Sequence, residues 1–162
     1  MNFHPYDGKE RRYRHTDSDQ VDGLTAVKQV LRLAKPPSPN GLLYDLSFFS
    51  GGIGVLDHLA ISLPADATLW ATLSSEFKAA TPEEAGTHPT WAEELFWLLS
   101  GGLETLPARE AAVRFINDHR RDFQTECVPS AQILFGWESD VNHWDVLWRD
   151  ERSLNYIGYD QG

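Results

Sequence analysis

Two hydrophobic periods alternate along this chain, and the changes between them divide it into elements. Val21, Leu24, Val27, Val30, Leu31 and Ala34 recur every three or four positions, the apolar stripe of an amphipathic helix with Asp19 or Asp22 near its start. Pro36, Pro37, Pro39 and Asn40-Gly41 end it, because proline lacks the amide a helix needs and Asn-Gly suits a turn. Leu42 to Phe49 reads as a strand. After Ser50-Gly51-Gly52 the glycines either turn a hairpin or precede a short buried helix through Val55, Leu56 and Leu59; the expectation is strand, loop, then a mixed segment to Leu63. Beyond Pro64, Asp66 is placed to cap a helix through Leu69, Trp70, Leu73 and Phe77. Thr90 and Glu93 make a capping box ahead of Leu95, Phe96, Leu98 and Leu99. Pro107 opens a fourth helix through Ala111, Ala112, Phe115, Ile116 and His119 to about Phe123.

The period then shortens to two. Ile133, Phe135 and Trp137 alternate with Gln132, Leu134 and Glu138, and Trp144, Val146 and Trp148 alternate with His143, Asp145 and Arg149. With Leu154 to Tyr159 as a third strand, and turns at Ser139–Asn142 and Asp150–Ser153, this is a C-terminal β-meander. Residues 1–20 lack apolar periodicity and read as an N-terminal arm or irregular edge whose order depends on what it packs against. The expected architecture is one α+β domain spanning residues 1–162, a largely antiparallel sheet with about four helices packed on one face. Trp144 and Trp148 are expected to point inward, leaving the acidic side chains around them on the outer surface.

Charge narrows the partners. The 162 residues carry a net charge of −10. Residues 1–35 hold seven basic and five acidic side chains (+2), whereas residues 36–104 hold nine acidic residues and only Lys78 (−8). Such a field repels phosphate and argues against direct nucleic-acid binding, while it favours encounter with a basic protein. Cys127 is the only cysteine, which excludes an intramolecular disulfide framework or a multi-cysteine zinc site. No apolar run reaches the roughly 20 residues of a membrane span, and none follows the N-terminus in the manner of a signal peptide. A protein of the reducing cytoplasm, without a membrane partner, is the expectation.

Candidate chemistry is thin. Cys127 as nucleophile with His119 or His143 as base and Asp122 or Asp145 as orienter would need spatial proximity, and no motif surrounds the cysteine. His143 and Asp145 share a strand face, but two ligands do not make a metal site. Asp17 to Asp22 resembles the opening of a calcium loop, yet Asp22 and Lys28 stand where glycine and glutamate belong. Gly51-Gly52-Ile53-Gly54 lacks the spacing of a phosphate or dinucleotide loop. Glu83-Glu84 and Glu93-Glu94 read as solvated carboxylates. No catalytic residue, cofactor or metal is therefore assigned.

In overall character the chain resembles the small acidic immunity proteins that bacteria pair with toxins. That resemblance implies a non-enzymatic inhibitor that covers the active surface of a basic toxin or effector. Leu63-Pro64, the downstream Trp70 and the two Ser-Gly-Gly turns do not reproduce the Leu-Pro, helix, Asn-Gly-Gly order of one large immunity superfamily, so no residue is carried over from it. The expected partner-binding residues are Trp137, Asp140, His143, Asp145, Asp150 and Glu151, with aromatics supplying affinity and carboxylates supplying rate and selectivity. The competing expectations are a small hydrolase or nuclease-like effector using His119, Cys127, His143 or Asp145, and a phage or host accessory protein that forms homo-oligomers through the meander edge.

Overall fold

The computed structural model describes residues 9–50, 56–76, 106–138 and 143–161. In chain order these form strand β1 (Lys9–Arg14), helix α1 (Val21–Val30), strands β2 (Leu43–Ser50) and β3 (Leu56–Pro64), helix α2 (Ala67–Glu76), helix α3 (Leu106–His119), and strands β4 (Gln132–Glu138), β5 (His143–Arg149) and β6 (Ser153–Gln161). The strands build one six-stranded antiparallel sheet in the order β1-β2-β3-β6-β5-β4. Two three-stranded ladders, one from each end of the chain, thus meet at the centre, where β3 and β6 pair along nine residues from Leu56↔Gln161 to Pro64↔Ser153. The C-terminal strands pair in the expected order, and the turn expected between Ser139 and Asn142 lies outside the described residues.

Period two explains what each face does. Tyr44, Leu46 and Phe48 of β2, Leu59, Ile61 and Leu63 of β3, Leu154 and Tyr156 of β6 and Leu147 of β5 form one buried cluster with Ala26, Val27, Val30 and Leu31 of α1 and Leu73 of α2. Gly23 lets α1 lie close, because a Cβ there would run into the Tyr44 ring. The alternate residues face the other way, yet Ala60, Val146, Trp148 and Ile157 are also fully buried, together with Ile116 of α3 and Cys127. The sheet is therefore covered on both faces, α1 and α2 on one and α3 with the chain after it on the other. This corrects the expected one-sided packing, and its cause is legible in β3 and β6, whose apolar residues occupy both parities as buried central strands do. Among the described residues there are three helices, and the capping box at Thr90 and Glu93 lies outside them.

Two further expectations change. Within the presumed arm, Lys9–Arg14 is the edge strand β1, held by antiparallel pairing from Lys9↔Ser50 to Arg14↔Asp45; residues 1–8 lie outside the described ones. A six-residue strand of alternating Tyr13 and arginines escapes a search for apolar periodicity because only Tyr13 packs against the core. The mixed segment before Pro64 is instead all strand from Leu56, and the glycines at 51–52 lie outside the described residues. The helix starts agree better. Asp66 Oδ1 accepts the Leu69 amide at 2.9 Å, and Asp19 Oδ1 accepts the Val21 amide at 3.0 Å ahead of α1. At the end of α1, Arg32 adopts a left-handed φ of 53° and the Leu33 amide reaches back to Lys28 O at 2.9 Å, closing the helix four residues before the first proline.

The chain between α3 and β4 is bonded to the sheet rather than looped over it. Buried Gln124 donates from Nε2 to Ile61 O (3.0 Å) and Tyr156 O (2.8 Å), joining the two central strands. Trp148 Nε1 donates to Thr125 O at 3.2 Å, which satisfies the indole nitrogen of a side chain that is 1% exposed. Asn117 clamps the backbone of Cys127, donating to its carbonyl at 3.0 Å and accepting its amide at 2.8 Å.

Candidate binding cleft

Where β5 turns into β6, three separate segments meet around a cleft of about 830 Å³. One wall is the entry to α2 (Ala65, Asp66, Ala67), a second is the approach to β4 (Val128, Ser130, Ala131, Gln132), and the third is the end of β5 with its turn (Arg149 to Arg152). The walls are tied together by backbone and side-chain bonds. The Ala65 amide donates to Arg152 O at 2.9 Å, joining the α2 entry to the turn. Asp150 Oδ1 accepts the amides of Arg152 (2.7 Å) and Ser153 (2.8 Å), so this carboxylate shapes the turn from within. The Arg149 guanidinium lies 4.9 Å from the centre of the Trp70 ring and donates from Nε to Gln132 Oε1, which fixes it at the floor between α2 and β4.

The cleft thus holds three carboxylates (Asp66, Asp150, Glu151) and two guanidiniums (Arg149, Arg152), one negative charge in excess. Asp66 and Asp150 already accept backbone amides, and Arg149 is engaged with Trp70 and Gln132. Glu151 and Arg152 stand exposed on the rim. On the wall formed by the approach to β4, Val128 is 43% exposed, an apolar contribution to an otherwise charged cleft.

Of the six residues singled out from the sequence, the structure describes the side chains of Asp145, Asp150 and Glu151, and it places Asp145 apart from the other two. Asp150 and Glu151 line the cleft. Asp145 lies back along β5, roughly 17 Å away at the rise of an extended strand, where its carboxylate accepts the Tyr156 hydroxyl at 3.1 Å on the α1 and α2 face. Trp137 and His143 are strand residues towards the far end of the β4 and β5 ladder, in the pairs Trp137↔Trp144 and Glu138↔His143. Asp140 lies outside the described residues. Sequence reading missed the contribution of Val128 to Gln132 and of the α2 entry. Its one usable signal was Asp66, assigned only as a helix cap.

A second polar cluster sits on the opposite face of β1 to β3. Arg12 grips Asp45 with Nε at 3.0 Å and Nη2 at 2.8 Å, and this guanidinium holds the Asp45 carboxyl below its ordinary pKa against the opposing effect of burial. Arg121 donates from Nη2 to His58 Nδ1, which ties the chain after α3 to β3. Burial, and next the charge of Arg121, push the His58 imidazole down from 6.5 to about 4, so the ring is neutral at pH 7.

Two of the candidate catalytic residues, Cys127 and Asp145, lie on opposite faces of the sheet, and the side chain of His143 lies outside the described ones. Cys127 is 2% exposed beneath α3, whereas the Asp145 carboxylate faces the other side of the sheet. The His119 ring stacks on Phe115 and its Nδ1 donates to the Phe115 carbonyl at 2.8 Å. Among the described residues no three His, Cys, Asp or Glu side chains gather as a metal-ligand set, and no helix is long and apolar enough to cross a membrane. Comparison with protein-family models, with curated proteins and with solved structures finds no match to this chain.

Proposed function

We propose that this chain is a non-enzymatic inhibitor of the immunity type, an acidic cytoplasmic protein that neutralises a basic bacterial toxin or effector by covering its active surface. The observation that carries the reading is the cleft at the β5 to β6 turn. It is open, walled by three bonded segments, and exposes Val128 on one wall and Glu151 on another. A pre-formed wall loses little conformational entropy on binding, and apolar and acidic side chains lining one cleft offer contact area and charge to the same partner. The chain's net charge of −10 would draw a basic partner in before contact, and the local excess of carboxylates would orient it.

The test is capture of a partner from the native cell with the tagged chain, followed by a binding measurement on the purified pair. Raising salt from about 0.05 to about 0.5 M should weaken binding several-fold as the Debye length shrinks. Glu151→Lys should weaken it further, and Val128→Ser, which removes apolar contact without adding charge, should act mainly by speeding dissociation. The captured protein's own activity should vanish in the complex. A partner that binds equally well at both salts and to both variants, or that stays fully active when bound, would end this reading.

A further inference from the structure

The two outer strands of the sheet are built for opposite fates. β1 carries Lys9, Glu10, Arg11, Arg12 and Arg14 among its six residues, the charged edge that keeps sheets from joining. β4 reads Gln132-Ile-Leu-Phe-Gly-Trp-Glu138, with no ionisable group before its last residue and no proline. Every second backbone amide and carbonyl of such a strand points away from β5, its neighbour among the described strands. Among the described residues no strand pairs with that outer edge. An apolar edge without the charges of β1 invites another strand.

From this contrast we infer that β4 pairs with the β4 of a second copy of this chain, antiparallel across a two-fold axis at Phe135. The sequence of the strand is self-complementary in that register. Phe135 meets Phe135, Leu134 meets Gly136, Ile133 meets Trp137, and Gln132 meets Glu138, so no like charges oppose one another and the aliphatic residue meets the aromatic one. β1 cannot do the same, because antiparallel self-pairing would bring its arginines together. The union joins six strands from each copy into one continuous sheet. A seven-residue strand buries far less than a standard interface, so the dimer is a weak one, with a dissociation constant in the micromolar range. Each copy brings a net charge of −10, so salt strengthens this contact by screening, the reverse of its effect on a basic partner.

The experiment is sedimentation of the purified full chain across concentration and salt, with two single-cysteine probes. The mass should rise from one chain towards two between about 1 and about 300 µM, and the midpoint should move to lower concentration as salt is raised. Under mild oxidation Phe135→Cys should give a covalent dimer, whereas Arg12→Cys on the other edge should not; native Cys127 is buried and contributes no background. If Phe135→Cys fails to fold, hydrogen exchange of the unaltered chain replaces it, and amides of residues 132–138 should become protected as concentration rises. A chain that stays monomeric throughout, a dimer that crosslinks through Arg12→Cys, or exchange in β4 indifferent to concentration would overturn the inference.

Discussion

Removing the His58 imidazole should flatten the acid limb of this protein's stability. The ring sits between β3 and the chain after α3, accepts a hydrogen bond from Arg121, and has its pKa depressed to about 4, first by burial and then by Arg121, with Asp45 opposing and the charge and backbone of His119 acting in opposite senses. In the unfolded chain it titrates near 6.5. Above 6.5 both states hold it neutral and it has no effect on stability. As pH falls from 6.5 to about 4 the unfolded state takes up a proton that the folded state refuses, so stability drops through that window and the loss is complete below about 4. The full shift corresponds to about 3 kcal/mol, which solvent screening of a partly buried ring reduces to about 2 kcal/mol. Asp45 acts elsewhere on the scale. Its carboxyl is held below the ordinary 3.8 by Arg12, so its contribution persists above that value and is lost only at lower pH.

The assay is urea unfolding of the natural chain and His58→Gln at pH 7.5 and pH 4.5, at one ionic strength. Glutamine fills similar space and never titrates, so the natural chain should lose about 2 kcal/mol more than the variant between the two conditions. All other histidines and carboxylates are common to both proteins and cancel in the difference. Proton NMR of the imidazole supplies an independent readout, with His58 titrating near 4 and moving upward in Arg121→Gln. Equal pH slopes for the two proteins, or an imidazole titrating near 6.5, would refute the reasoning.

Other sites should respond in proportion to what they bond. Gln124→Leu strips the donors from Ile61 O and Tyr156 O in a buried position and should cost about 2–4 kcal/mol in urea unfolding. Gly158→Ala places a Cβ 2.6 Å from the Tyr156 hydroxyl and should destabilise by about 1–3 kcal/mol; adding Tyr156→Phe should recover part of that loss, a coupling that a double-mutant cycle measures. Asp150→Ala should lower stability by about 1–2 kcal/mol by freeing two turn amides, whereas Glu151→Lys should leave it within about 0.5 kcal/mol and alter only partner binding. The thiol of Cys127 should react with a disulfide reagent only as fast as the chain opens, and the rate should rise in step with urea.

What was legible in the sequence follows the reach of each signal. Strands whose two parities differ announced themselves. Tyr44, Leu46 and Phe48 point to the core while Leu43, Asp45 and Ser47 do not, and Ile133 is buried beside exposed Gln132. Helix starts were equally plain where a carboxylate caps them, as Asp66 does. β1 was missed because an edge strand needs only one core contact, Tyr13, and fills its other positions with charge. The second layer was missed for a different reason: Trp148 is buried as expected, and the two-parity apolar pattern of β3 and β6 marks them as central strands, but which segment covers the second face depends on a long-range return of the chain that no local period encodes. The same geometry divides the described carboxylates of the acidic aromatic run. A strand advances roughly 3.3 Å per residue, so Asp145 and Glu151 lie near in sequence yet far apart in space, and alternation sends the Asp145 carboxylate to Tyr156 on the α1 face. What brings Glu151 into a cleft is instead the bond from the Ala65 amide to Arg152 O, between residues eighty-seven positions apart, which closes the α2 entry onto the turn. A cleft made in this way is a property of the sheet's topology, with β3 and β6 side by side at its centre; Asp66, Asp150 and Arg149 are bonded into its walls, so the charges that can vary without changing its shape are those of exposed Glu151 and Arg152.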